Sequence, residues 1–571
     1  MKTFKRVLLI TLSILVVAAI AGAIYVNRLG KKGQTSYSGE LKLDGLKKEV
    51  VVYRDSLAIP HVYAENQNDL YMAAGYLMAQ DRLWQMDLLR RVTTGRLSEI
   101  FGEDMIETDL LMRALRIPEK SEEVLNSCDR ELVMVFEAFS RGVNAFLEQN
   151  PDNLPVEFQI LGYEPEDWRP IHSANLIGYM AWDLSMSWKA EILLHKVSKK
   201  VNEKLMLELF PKLEQQKSTI FPDYRIEDSE YELWDNLLAH AETVESLGLK
   251  IFDGSNNWAV SGEKSTTGKP ILANDMHLGL FAPGIWYQMH QVIGGELNVS
   301  GVVLPGQPLV ISGHNSDVAW GMTNVMLDDI DFYRETLNKD STKYLYNGHW
   351  RDLVVREEEI FTGDRKSVKK TLRFTHRGPI ISSFHDLDKQ AVSMRWIGNE
   401  YSNELRSVYE LNHHVKDWEG FKNAVKTFIS VSQNIVYADT KGNIGLYCCA
   451  GVPVREGNPA TIYPGDTSAY DWTGVVPFPK LPHSYNPERG FVSSANNKTV
   501  DDDYPHYISY WFDLSWRIDR INQLLSEKEK LSVEDFKDIQ TDKLSLMVER
   551  LKPQMIKAVE GMKDELSAND R

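Results

Sequence analysis

The hydrophobic rhythm of the chain changes near residue 255, and this change restricts the fold more than any other feature of the sequence. Ahead of it, apolar residues recur at helical spacing. Over 70–101, Leu77, Trp84 and Leu88 fall on one stripe, with Gly102 as a stop. Over 191–209, Leu194, Val197, Val201 and Leu205 repeat the pattern before Pro211. Beyond residue 255 the chain turns to short apolar runs between turns, at 258–260, 270–273, 301–304, 309–311 and 372–374, which suit strands of a buried sheet. A further strand is expected at 49–53, and helices at 418–428, 516–525 and 533–548. No repeat or low-complexity linker separates the halves, so they are expected to pack together as an α+β fold. The divisions read from the chain are 1–35, 36–214, 215–254 and 255–571. The segment 215–254 is acidic and irregular, as suits a linker ahead of a processed bond.

Composition removes several functions. At 43% hydrophobic and 25% charged, 571 residues can bury a large core. A net charge of -17 argues against a nucleic-acid partner, because phosphate binding needs clustered Lys and Arg. The basic stretch 365–370 alternates as the solvated face of a strand would. Cys128, Cys448 and Cys449 match no zinc spacing and no disulfide framework, and are expected as buried small hydrophobes.

Residues 7–26 are uncharged and largely apolar, and follow Lys2, Lys5 and Arg6. That length suits an uncleaved membrane anchor better than a removable signal, although Ala21-Gly22-Ala23 offers a small-residue processing site. Arg28, Lys31 and Lys32 leave the charge rule for orientation undecided. In either case the chain from about Ser36 is expected to fold outside the cytoplasm, membrane-anchored or secreted.

The run Asp253-Gly254-Ser255-Asn256-Asn257-Trp258 looks like a serine placed to become an N-terminus. Glycine tolerates strained backbone, so the hydroxyl of Ser255 can approach the carbonyl of Gly254 and attempt an N-to-O acyl shift. Cleavage there would free an α-amine of ordinary pKa about 7.7 to 8.0, suited to a general base near neutral pH. Gly-Ser is equally a common turn dipeptide. Templates for other chemistries fail: no Gly-x-Ser-x-Gly elbow, His-Glu-x-x-His helix or phosphate loop is present. His277 is a candidate for a Ser-His-Asp triad, or a packing residue.

Ordered motifs decide between these readings. Asp253 to Trp258 is followed by Asn274-Asp275-Met276-His277, Ser312-Gly313-His314-Asn315, Ala319-Trp320-Gly321-Met322-Thr323-Asn324 and Asp328-Asp329-Ile330-Asp331. Gln80-Asp81-Arg82-Leu83-Trp84-Gln85-Met86-Asp87 precedes them, and Ser494-Ala495-Asn496-Asn497 follows. In this order the set resembles the penicillin acylases, a family of N-terminal nucleophile amidohydrolases that includes cephalosporin and acyl-homoserine-lactone acylases. The resemblance covers roughly residues 45–550.

It implies a precursor that cuts itself between Gly254 and Ser255, giving associated α and β chains in a four-layered αββα sandwich with a helical α-chain region. Ser255 would supply both nucleophile and α-amine, the amine acting through a bridging water. Asn496 would donate its side-chain amide to the tetrahedral oxyanion, with a backbone N–H at Asn324 or Val325, Val325 preferred, as second donor. His277 would hold the α-amine, and Arg517 matches a family arginine near the site. On the residues alone, Asn496 reads as a turn cap and Arg517 as a helix-surface charge.

Asp328, Asp329 and Asp331 place three carboxylates within four residues, a density that needs a cation, basic partners or water; oxygen-only ligands suggest Ca2+. The resemblance implies side-chain ligation by Asp328, Asp331 and Glu191, and carbonyl ligation by Ile330 and Pro459. The chain departs from the family at Ile508, where an aspartate is expected; Asp513 or the run 501–503 could compensate. The family's β chains also continue past the helix expected to end at Val548, so the C-terminal part reads as missing, which would leave apolar surface and strand edges uncovered.

Two functions follow. One is a self-processing amide hydrolase that acts on an N-acylated small molecule and needs no organic cofactor. The other is a catalytically silent, membrane-anchored surface protein that keeps a partial acylase framework for binding. Phe281, Trp286 and Tyr287 are candidates to line an acyl pocket, or to pack in the core.

Overall fold

The computed structural model describes residues 2–30, 33–185, 187–188, 191, 201, 252–363, 366–381, 391–400, 402–457, 462–500 and 504–561. Nearly all of the expected linker, most of the helix expected over 191–209, Arg365, Pro459 and the run 501–503 lie outside the described residues. The apolar N-terminal segment forms helix α1 (Lys2–Leu29), whose described side chains from Ile10 to Ile24 are exposed. Among the described residues no helix is long and apolar enough to cross a membrane.

Two short strands, β1 (Val51–Arg54) and β2 (Pro60–Ala64), lead into helix α2 (Gln67–Thr93). The Asn66 side chain caps α2 by accepting from the Asp69 N–H. The single helix expected over 70–101 is broken after Thr93. Gly95 takes a left-handed turn with φ 60°, and a Cβ there would stand 2.4 Å from the Asp109 carbonyl oxygen. Helices α3 (Arg130–Gln149) and α4 (Pro170–Leu184) were not anticipated, although Leu132, Val135, Phe139 and Val143 carry the helical period and are buried in α3.

From residue 252 the chain is mostly strand, as the change of rhythm implies. In order come β3 (Phe252–Val260), β4 (Ile271–Leu278), β5 (Tyr287–Ile293), β6 (Leu297–Val303), β7 (Ser312–His314), β8 (Val318–Asn324) and β9 (Ile330–Glu335). After helices α5 (Glu404–His413) and α6 (Trp418–Val425) follow β10 (Gln433–Asp439), β11 (Ile444–Cys449), β12 (His483–Tyr485) and β13 (Phe491–Ser494). The strand expected at 309–311 does not form. Asn412 takes over the backbone of Val310 instead, accepting its N–H at 2.9 Å and donating to its carbonyl at 2.7 Å. The helix expected over 533–548 is two, α8 (Val533–Thr541) and α9 (Leu546–Gly561); α7 (Trp516–Glu527) precedes them close to its expected bounds. The basic stretch sits on the strand Ser367–Phe374, where Lys369 and Lys370 face Glu359 and Glu358 across an antiparallel ladder.

These strands build a mixed α+β architecture. A nine-stranded sheet runs β1-β2-β5-β6-β7-β8-β10-β11-β12, so the segment ahead of residue 255 contributes one edge strand and its neighbour to it. A three-stranded sheet runs β13-β3-β4. Alternation along β3 sends Trp258 and Val260 to a core shared with Ile518, Ile521, Leu525 and Phe536 of α7 and α8. Ala259 points the other way, against Val436, Ala438 and Ile444 of the large sheet. The small sheet is thereby held between α7–α8 and the large sheet, with Ser255 near the start of its central strand.

Candidate active site

The register of β3 on β4 pairs Gly254 with His277, Ser255 with Met276 and Asn256 with Asp275. Gly254 has φ 154°, and a Cβ on it would lie 3.2 Å from His277 Nδ1 and 3.5 Å from Arg517 Nη2. Glycine therefore lets an imidazole and a guanidinium approach the Gly254-Ser255 bond.

Ser255 is 4% exposed. Its backbone N–H donates to Asn496 Oδ1 at 2.6 Å, and its carbonyl accepts from Arg517 Nη1 at 2.9 Å. Asn496, 1% exposed, follows β13 with φ 60°, a left-handed conformation that asparagine tolerates better than most residues. Arg517 sits in the first turn of α7. It also donates to Asn496 Oδ1 at 3.0 Å, to Asn256 Oδ1 at 2.7 Å and to Asp513 Oδ2 at 2.5 Å. His277 turns Nε2 toward Asp275 Oδ2 at 2.9 Å and Asn256 Nδ2 at 3.2 Å. The hydrogen bond to His277 is the leading influence holding the Asp275 carboxyl below its ordinary range. Ser255, His277, Asn496 and Arg517 are thus brought together.

Val325 stands differently. Its N–H donates to the Ser432 carbonyl at 3.2 Å, on the β10 side. The Asn324 carbonyl instead accepts from Asn496 Nδ2 at 2.9 Å. In an extended strand a residue's N–H and C=O point to the same edge, so the Asn324 N–H is directed toward the Asn496 side. Sequence reasoning missed Asn256, Asp275 and Asp513 as partners. Asp275 had a signal, since a residue two positions from His277 on a strand shares its face.

Ser255 lines an apolar cavity together with Met180 and Leu184 of α4, Met276 and Leu278 of β4, and Met322 of β8. Of the three aromatic candidates only Trp286 lines it; Phe281 is 40% exposed, and the Tyr287 hydroxyl donates to Asp81 at 2.6 Å.

The acidic cluster lies at the β8–β9 connection. Asp328, Asp331 and Glu191 are buried, and among the described residues each keeps one carboxylate oxygen without a hydrogen-bond partner: Asp328 Oδ1, Asp331 Oδ1 and Glu191 Oε1. Burial pushes all three carboxyls up, Asp331 to about 7; burial, then Asp328 and Asp331, push Glu191 well above the carboxylate range. Burial also pushes Asp329 up to about 7, although Ser185 Oγ donates to it at 2.6 Å. Arg455, unremarked in the sequence, reaches Asp328 Oδ2 at 3.3 Å and Asp331 Oδ2 at 3.2 Å. Ile508 gives its carbonyl to the Asp328 N–H at 3.0 Å rather than a carboxylate to the cluster. With Arg395, which pairs in register with Asp331, two guanidinium groups stand against the carboxyls of Glu191, Asp328, Asp329 and Asp331. The orphaned oxygens therefore fit a hard divalent cation in charge and atom type, though among the described residues no group of three or more His, Cys, Asp or Glu is already set to hold one.

The family model for penicillin amidase matches residues 49–571. This chain belongs to the penicillin amidase family. Among its relatives, acyl-homoserine lactone acylase QuiP from Pseudomonas aeruginosa is 30% identical over 540 residues, covering 90% of this chain and 62% of that protein. Penicillin G acylase from Escherichia coli is 27% identical over 578 residues, covering 90% and 67%. Among solved structures, a thermostable penicillin G acylase from Alcaligenes faecalis in an orthorhombic form aligns with a TM-score of 0.47 at 26% identity, covering 55% of this chain and 57% of that one. The chain spans about three fifths of the length of the acyl-homoserine lactone acylase.

Proposed function

We propose that this chain is a self-processing amide hydrolase that removes an apolar acyl group from an N-acylated small molecule. The observation that carries the reading is the pairing of the Ser255 N–H with Asn496 Oδ1 at 2.6 Å beside an apolar cavity, with Arg517 on the Ser255 carbonyl. In maturation, Ser255 Oγ attacks the Gly254 carbonyl carbon, and the C–N bond breaks as an ester forms, with the hydroxyl proton passing to the freed Ser255 α-amine; water then hydrolyses the ester, releasing the Gly254 carboxylate and restoring the Ser255 hydroxyl. In turnover the same Oγ attacks the substrate amide while the α-amine takes its proton through a water. The leaving amine departs with a proton, and a second water releases the acid from the acyl-enzyme.

Asn496 serves both stages. Its Oδ1 holds the Ser255 nitrogen, and its Nδ2 has a second N–H for the oxyanion. The Asn324 N–H is the better second donor, because the Val325 N–H is engaged with Ser432. His277, anchored by Asp275, faces the Gly254 side and positions the nascent amine. Met180, Met276 and Met322 give the acyl cavity adaptable thioether walls. The placement of the small sheet between α7–α8 and the large sheet supports the four-layered αββα reading. Calcium bound by Glu191, Asp328 and Asp331, with carbonyl help from Ile330 and Pro459, would balance the buried charge and take no part in acyl transfer. The uncharged run from Ile10 to Ile24 supports export.

Ser255→Ala tests the reading. Intact mass of the wild type should give two chains split at Gly254-Ser255, and the variant one chain with no hydrolysis of N-acyl substrates. Hydrolysis surviving in the variant would reject Ser255 as nucleophile; a single stable wild-type chain would favour the silent binding protein.

A further inference from the structure

A pair of histidines lies apart from Ser255, on the outer part of the large sheet. The parallel register of β2 on β5 sets His61 beside His290, and their Nδ1 atoms stand 3.0 Å apart with the rings nearly perpendicular, at 88°. The outer nitrogens face oxygens. His290 Nε2 is 2.8 Å from Asn298 Oδ1, and His61 Nε2 is 3.8 Å from Asp55 Oδ2. Asp55 is fixed in turn by the N–H groups of Leu57 and Ile59, at 2.8 and 3.0 Å.

The Asn298 oxygen favours the tautomer with the proton on Nε2 of His290, whereas Asp55 Oδ2, 3.8 Å from His61 Nε2, lies beyond hydrogen-bond length and does not set the tautomer of His61. In the metal-free pair His61 Nδ1–H can donate to His290 Nδ1 across 3.0 Å; a cation that displaces this one proton meets two Nδ1 lone pairs, with Asp55 on the outer side of His61. Metal-binding imidazoles show this organisation, one nitrogen donated to an outer oxygen and the other left to the ion. With metal–nitrogen bonds of about 2.0 to 2.1 Å, a 3.0 Å separation corresponds to a nitrogen–metal–nitrogen angle near a right angle. That suits adjacent corners of a tetragonal Cu(II) or Ni(II) site better than a tetrahedron. His61 is 33% exposed, which leaves room for water to complete the coordination.

We propose that His61 and His290 chelate one divalent transition-metal ion, Cu(II) or Ni(II), and so clip the chain ahead of Ser255 to the chain beyond it. The site is independent of hydrolysis at Ser255. In the untagged full-length protein, calorimetric titration with Cu(II) should show one tight equivalent. Its electron paramagnetic resonance spectrum should carry hyperfine coupling to two imidazole nitrogens. His61→Gln and His290→Gln should each weaken that equivalent at least about tenfold and remove the metal-dependent rise in Tm, while His314→Gln, at an exposed histidine elsewhere, should leave both unchanged. Matching Tm values in chelator would show that the variants fold. Retention of the equivalent in either variant, or a wild-type spectrum without two nitrogens, would overturn the proposal. The pair would then be a neutral hydrogen bond, His61 Nδ1–H donating to His290 Nδ1 while His290 Nε2–H donates to Asn298.

Discussion

Two buried polar clusters sit at opposite ends of the β8–β9 connection, and they are finished in different ways. Around Ser255, where Ser255 and Asn496 are buried and Asn256, His277 and Arg517 half-buried, the chain supplies its own partners: the Ser255 amide and these four side chains each have one within hydrogen-bond distance. Around Asp328, among the described residues, three carboxylates each keep an oxygen without one, and Arg455 is the guanidinium that reaches two of them. Buried polar groups persist when paired and are costly when not. The first cluster is therefore complete within the uncut chain, whereas the second calls for charge from outside it.

The comparison breaks most readily at Arg455. Arg455→Met removes the guanidinium that reaches both Asp328 and Asp331 and should destabilise the fold by about 3 to 5 kcal/mol, read from urea unfolding. An unchanged midpoint would mean that the acidic cluster is as self-sufficient as the serine site. Asn496→Ala removes the acceptor of the Ser255 N–H and one oxyanion donor. Processing and turnover should slow about 10²- to 10³-fold while near-ultraviolet circular dichroism stays native. Full activity in that variant would show the pairing to be incidental. The smallest effect sharpens the contrast. Chelation by EDTA should lower Tm by a few degrees and Ca2+ should restore it, whereas Asp331→Asn should blunt that response. A Tm indifferent to chelator in the wild type would show that the guanidinium groups of Arg455 and Arg395 are counter-charge enough for the cluster.

The serine site was legible because its residues sit in motifs whose order survives, and because strand alternation places Asp275 beside His277. The acidic cluster was half legible: Asp328 and Asp331 stand out by density, but Arg455 approaches from 127 residues away, and no local pattern announces such a pairing. The same limit governed the secondary structure. Apolar runs told strand from helix where the backbone pairs regularly, as in β3 and β4. They failed at 309–311, where the Asn412 side chain satisfies the backbone of Val310. The break after Thr93 depends on how closely the Asp109 carbonyl approaches Gly95, a contact that only the folded chain contains.

The parallel pairing of β2 with β5 also sets a clock. His61 waits for a partner 229 residues downstream, so at ordinary synthesis rates of about 5 to 20 residues per second this seam stays open for roughly ten to fifty seconds after its first strand emerges. Contacts so distant in sequence form late in folding. A growing chain of this design must keep an exposed strand edge out of trouble for that interval, which makes the speed of synthesis and access to chaperones determinants of yield.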